Sequence, residues 1–92
     1  MTRRYIALMR KDDDSDYGVE FPDFPGCVTV GKSPSEAQVL AKEALELHLQ
    51  GMVEDGEAIP EPGSEDQLLE REWHTRGTLS FLVEPDMPRP RV

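Results

Sequence analysis

Hydrophobic and polar positions along this chain repeat first with the period of a strand and then with that of a helix. RYIALMR, from Arg4 to Arg10, is rich in large apolar residues with both alternating sets hydrophobic. That pattern predicts a central strand covered on both faces. The polar run KDDDSD (Lys11 to Asp16) breaks it with residues that favour turns, and YGVEF then alternates, with Tyr17, Val19 and Phe21 on one face and Gly18 and Glu20 on the other. The two runs predict a hairpin with a polar loop. After the segment FPDFPGC, the run CVTVG (Cys27 to Gly31) is β-branched and short enough for a third strand.

SPSE, at 33 to 36, marks the start of a helix. Ser33 can cap free N–H groups, Pro34 suits the first helical position, where no donor is missed, and Glu36 can reach back to the cap. Ala37, Leu40, Ala41, Ala44, Leu45, His48 and Met52 then recur at helical spacing, while Glu36, Lys42, Glu43, Glu46 and Glu54 face elsewhere. EDG ends the run, with Gly56 able to take the left-handed conformation. EAIPEPG (Glu57 to Gly63) reads as an extended, proline-stiffened connector. SEDQLLEREW reads as a short second helix capped by Ser64, and TLSFLV (Thr78 to Val83) as a fourth strand. EPDMPRPRV is a proline-rich tail unsuited to the interior of a helix or sheet. The order β-β-β-α-(α)-β makes an α+β fold, a small sheet with one long helix packed across it.

Composition sharpens this picture. The net charge of -9 is localised: residues 1–32 carry five Lys or Arg against six Asp or Glu, 33–72 two against eleven, and 73–92 three against two. Such a surface repels phosphate backbones and attracts basic partners. A solvated helix face followed by an acidic loop accounts for the same numbers. Ninety-two residues make one small domain with a modest core, which association would help. One cysteine forms no internal disulfide, and charge returns soon after MTRRYIALMR begins, so neither a signal peptide nor a membrane span is expected. The expected compartment is a reducing cytoplasm.

Catalytic and metal chemistry find little support. Cys27 opens an apolar strand, with no positive neighbour in sequence closer than Lys32. It reads as a small buried hydrophobe with a raised pKa. His48 lies on the apolar stripe of the helix and reads as a core or rim residue, or as a switch if it meets a carboxylate. His74 stands beside Trp73, and no Cys or His has zinc-site spacing. Asp12, Asp14 and Asp16 start like a calcium loop, but its sixth position is Tyr17 where glycine is needed and its twelfth is Asp23. Strand interiors offer only Glu20 as an acid for a two-metal centre. There is no phosphate loop, nucleophile elbow or basic stripe interleaved with aromatics. No catalytic residue, metal or cofactor is expected.

FPDFPGC, between the second and third strands, reads as a rigid corner. Pro22 and Pro25 fix the backbone and hold Phe21 and Phe24 extended, while Gly26 permits the reversal. Phe21 and Phe24 are expected to act as anchors, one turned to the core and the other at the surface, with Asp23 at the tip. Rigid presentation lowers the entropy cost of docking. A corner that only fixes the fold fits the turn chemistry equally well.

Over residues 4–62 the chain resembles the amino-terminal domain of HicB antitoxins, acidic partners of HicA toxins in bacterial toxin-antitoxin pairs. The resemblance rests on the FPDFPGC corner, the SPSE helix start, the EALELHL helix core and the exit DGEAIPEP. It implies a partial, degenerate ribonuclease-H-like fold without catalytic carboxylates, a binding protein rather than an enzyme. Full antitoxins of the family bind a small basic HicA ribonuclease, mask its catalytic histidine, and carry a carboxy-terminal ribbon-helix-helix or helix-turn-helix domain. The present sequence stops at MPRPRV, near where such a domain would begin. The expected organisation is an antitoxin domain over 1–84 and a proline-rich tail over 85–92, the remnant of a linker. The alternative is a gene that encodes a stand-alone domain. In either case this chain alone is not expected to bind nucleic acid or a membrane.

The resemblance implies a HicA-like toxin as partner. Toxin contacts are expected at Asp12, Asp13 and Asp14 in the hairpin, Glu20 on its strand, and Asp23 and Phe24 at the corner. Phe21, Pro22, Pro25, Gly26, Cys27, Ser33 and Glu36 form the structural framework. Association into a dimer or tetramer is expected because exposed sheet edges need covering. Two rivals are a self-associating module with no toxin partner and, more remotely, an enzyme using Cys27 and a histidine.

Overall fold

The computed structural model describes residues 3–11, 16–63 and 78–88. Four strands, β1 (Tyr5–Lys11), β2 (Tyr17–Glu20), β3 (Val28–Gly31) and β4 (Thr78–Val83), form one sheet in the order β3-β2-β1-β4, with the helix α1 (Pro34–Glu54) between β3 and β4 in sequence. Every neighbouring pair is antiparallel. The fold is therefore α+β, a four-stranded antiparallel sheet with one long helix. The second helix read from SEDQLLEREW lies outside the described residues.

β1 is central because both of its faces are apolar. Tyr5, Ala7 and Met9 enter the core beneath α1, while Ile6 and Leu8 point the other way and are buried as well. Leu8 pairs with Glu20 and Lys11 with Tyr17 across the hairpin, which places the Lys11 ammonium 5.6 Å from the Tyr17 ring centre. β4 takes the free side of β1, Tyr5 opposite Val83 and Arg10 opposite Thr78. This long-range pairing gives the fourth strand its place at the sheet edge.

α1 begins as its sequence dictates. Ser33 is extended, its hydroxyl oxygen accepts the Glu36 N–H at 3.1 Å, and Pro34 occupies the first turn. At the far end Gly56 has φ +74, the Gly56 N–H donates to the Val53 carbonyl, and the Glu57 N–H donates to that of Met52. These are the two bonds of a Schellman stop. Ala37, Ala41, Leu45 and Leu49 are the buried stripe, one residue every turn, with Ala44 and Met52 packed beside it. Leu49, absent from the expected stripe, fills the same face between Leu45 and Met52. Small residues at 37 and 41 let the helix settle close to β3, and larger ones fill the wider end.

Past β4 the chain stays in contact with the helix. Pro85 is buried, the Asp86 N–H donates to Glu46 Oε2 at 2.7 Å, and Met87 packs against the core.

Candidate partner-binding surface

The corner between β2 and β3 is two successive β-turns. The Phe24 N–H donates to the Phe21 carbonyl and the Cys27 N–H to that of Phe24, each at 3.0 Å. In the second turn Pro25 and Gly26 hold the central positions and Gly26 has φ +89, the arrangement of a type II turn. Proline sets the first central residue and glycine supplies the positive φ that other residues resist. Pro25 and Gly26 are exposed at the tip.

Both phenylalanines turn inward, which corrects the expectation of one exposed anchor. Phe21 and Phe24 are each 2% exposed. Phe24 meets the Tyr5 ring edge-on at 4.7 Å and the His48 ring at 5.6 Å, so β1, the corner and α1 are joined through one aromatic stack. Packing against the Tyr5 and His48 rings outweighs the local similarity of the two Phe-Pro pairs. His48 is thus a rim residue packed on Phe24.

The connector after α1 is stapled over this corner. The Tyr5 hydroxyl donates to the Pro60 carbonyl at 2.6 Å, the Gly63 N–H donates to Asp23 Oδ2 at 3.2 Å, and Arg3 pairs with Glu61 at 2.9 Å. Asp23 therefore has one carboxylate oxygen committed within the fold, and the half-buried side chain presents only the remainder outward. Sequence reasoning did not foresee these staples. Nothing in the local pattern of EAIPEPG names its partners.

Glu20 is half-buried on the sheet face away from α1, with Leu8 on one side and Val28 on the other. Val28 and Val30 on that face are exposed, as are Leu82 on β4 and Val39 and Leu47 on α1. The alternation of CVTVG carries the signal for the two valines. Ser33 and Glu36 serve the helix start. Asp12, Asp13 and Asp14 lie outside the described residues. Cys27 is 4% exposed, and burial pushes its thiol pKa up. Among the described residues no three His, Cys, Asp or Glu side chains gather in a way that could hold a metal ion, and no helix is long and apolar enough to cross a membrane. What the described surface offers is a rigid corner, scattered acids and exposed apolar side chains, an arrangement for binding.

Residues 5–90 match the family described as HicB_like antitoxin of bacterial toxin-antitoxin system. The chain belongs to this HicB-like antitoxin family. A protein of Haemophilus phage HP1, described as an uncharacterized 14.9 kDa protein in the rep-hol intergenic region, is 42% identical over 65 residues, 71% of this chain and 48% of that one. The chain thus spans about half the length of that relative. The antitoxin HicB of Burkholderia pseudomallei superimposes with a TM-score of 0.77 at 26% identity, over 97% of this chain and 71% of that one. A chain from a HicA3 and HicB3 toxin-antitoxin complex matches with a TM-score of 0.67 at 25% identity, over 90% of this chain and 98% of that one. The present protein carries a HicB-like antitoxin domain, and the family is one of binding proteins.

Proposed function

We propose that this chain binds a small basic HicA-type ribonuclease in the cytoplasm and neutralises it by covering the surface that takes messenger RNA. The observation that carries this reading is the near end-to-end match to a solved chain from a HicA3–HicB3 complex. The charge of the chain supports it, since a toxin built to hold RNA is basic and this partner is strongly acidic. Acidic side chains raise the association rate and select the partner, while buried apolar contacts supply most of the affinity. Glu20, beside exposed Val28, and Asp23, at the stapled corner, are the described acids we place at the interface, together with Asp12, Asp13 and Asp14. We leave the Phe24 side chain out of this interface because it is buried. The chain has no catalytic role of its own, and its acidity disfavours contact with phosphate backbones.

The test is co-elution of the 92-residue chain with the toxin encoded beside its gene. A one-peak complex supports the proposal, and two separate peaks from folded components contradict it. The exposed edge of β3 favours a second reading, a self-associating HicB-like module without a toxin partner. Separate peaks would leave that reading standing.

A further inference from the structure

Gly18 stands within β2 with no reason for glycine inside the fold. Its φ is not among the positive ones, so the backbone does not demand it. Packing does not demand it either, because an added side-chain carbon would meet, beyond its chain neighbours, only the Arg10 carbonyl oxygen at 3.7 Å, an ordinary contact. Gly26 and Gly56, by contrast, have positive φ, and Gly31 makes room for Ala37. Glycine in a strand gives up packing and costs chain entropy, and it often marks where a ligand or another backbone comes close.

The sheet register defines what surrounds this gap. Arg10, Gly18 and Val30 form one row across β1, β2 and β3, and Leu8, Glu20 and Val28 form the next, all on the face away from α1. Neighbours in a row are about 4.8 Å apart and the two rows about 6.8 Å. The missing side chain therefore leaves a slot floored by the Gly18 backbone, with Val30 and the Arg10 stem on its sides and Glu20 at one end. Val28 and Val30 are 64% and 57% exposed, Arg10 is exposed, and Glu20 is half-buried. Among the described residues neither Glu20 nor Arg10 takes part in an ion pair.

We propose that this slot seats one arginine side chain of the toxin, its stem laid across Gly18 against Val30 and its guanidinium forked onto the Glu20 carboxylate. Charge complementarity selects this occupant: Glu20 is a half-buried acid set among valines in a chain of net charge -9. A long basic side chain rests its methylenes on apolar surface and keeps its charge at the end, and the planar guanidinium matches a carboxylate with two hydrogen bonds. An aromatic ring would fill the same gap but would cover Glu20 without a cation, at the cost of an unpaired carboxylate. Arg10 lies diagonally across from Glu20, about 7–8 Å away, and opposes the incoming charge only weakly. The assignment rests on the toxin reading and adds to it the place and chemistry of one anchoring contact.

Binding kinetics of the full chain on immobilised toxin test the slot. Gly18→Val fills it with a residue that strands favour, so the fold should keep its stability while the dissociation constant rises about tenfold or more, chiefly through faster dissociation. Glu20→Gln should weaken binding about tenfold and flatten its dependence on salt. Arg10→Gln should tighten binding about two- to threefold, the repulsion expected between like charges at that distance in water. Loss of structure does not give opposite signs at two neighbouring charges, and melting curves verify that all three variants fold. Unchanged affinity in Gly18→Val, or an Arg10→Gln chain weakened as much as Glu20→Gln, overturns the slot and leaves the toxin reading standing. A folded wild-type chain that does not bind the toxin overturns both.

Discussion

Gly31 lies so close to Ala37 that a side-chain carbon added to it would stand 2.5 Å from the Ala37 nitrogen and 2.6 Å from the Ala37 Cα. The helix cannot easily retreat, because the Ala37 N–H is bonded to the Ser33 carbonyl at 2.8 Å in the first turn. The glycine is required for space, since its φ is not among the positive ones. Gly31→Ala should therefore destabilise the fold by about 1–3 kcal/mol, the usual cost of overpacking. Gly51→Ala is the contrast: Gly51 lies within α1, and an added side-chain carbon would meet nothing within 4 Å outside the helix's own backbone. There the added methyl should stabilise by about 0.5–1 kcal/mol through helix propensity. Urea unfolding of both variants at low concentration, where self-association does not contribute, checks the opposite signs.

The staples over the corner give a second expectation. Tyr5→Phe removes the hydroxyl that donates to Pro60, and Asp23→Ala removes the acceptor of the Gly63 N–H. Each should cost about 1 kcal/mol, the net value of one such hydrogen bond. Amide exchange should accelerate at Gly63 in Asp23→Ala while Leu45 stays protected. Equal acceleration at both positions would mean that the bond holds the whole fold rather than the connector.

Cys27 makes stability fall at high pH. Burial raises the folded thiol's pKa, so above about pH 8.5, the ordinary thiol value, the unfolded chain loses a proton that the folded chain keeps. The native state then binds more protons, and stability declines as pH rises, by at most about 1.4 kcal/mol per pH unit. The contribution is fully present below that pH and is lost as pH climbs through the folded value. Cys27→Ala should flatten this part of the curve in chemical denaturation from pH 7 to pH 10.

Much of this architecture is legible in local sequence, and the rest fails for physical reasons. The helix start at Ser33 and its stop at Gly56 are readable because capping uses residues within four positions of each other. The double apolar pattern of β1 announces a central strand. The hairpin places β2 beside β1, but which strand takes the other side does not follow, because the pairing of Tyr5 with Val83 spans almost the whole chain. Phe21 and Phe24 share the same local context, each before a proline, and only Tyr5 and His48 decide that Phe24 is buried. Asp23 reads as a free acid at a turn until the connector returns with Gly63. The acidity that suggests a basic partner is legible at once.

Association with the toxin should be fast and sensitive to salt. Stopped-flow mixing of the two proteins should show an association rate that drops about tenfold or more between low and physiological ionic strength, with a nearly constant dissociation rate. An association rate indifferent to salt would remove the electrostatic part of the mechanism and leave the apolar contacts to explain recognition.

The most direct measurement is the rate of RNA cleavage by the cognate toxin as the purified 92-residue chain is titrated in. Cleavage that falls to background at a fixed stoichiometric ratio is the predicted result, because a domain that covers the RNA-binding surface acts once per toxin. Undiminished cleavage in the presence of a bound, folded chain would contradict the account.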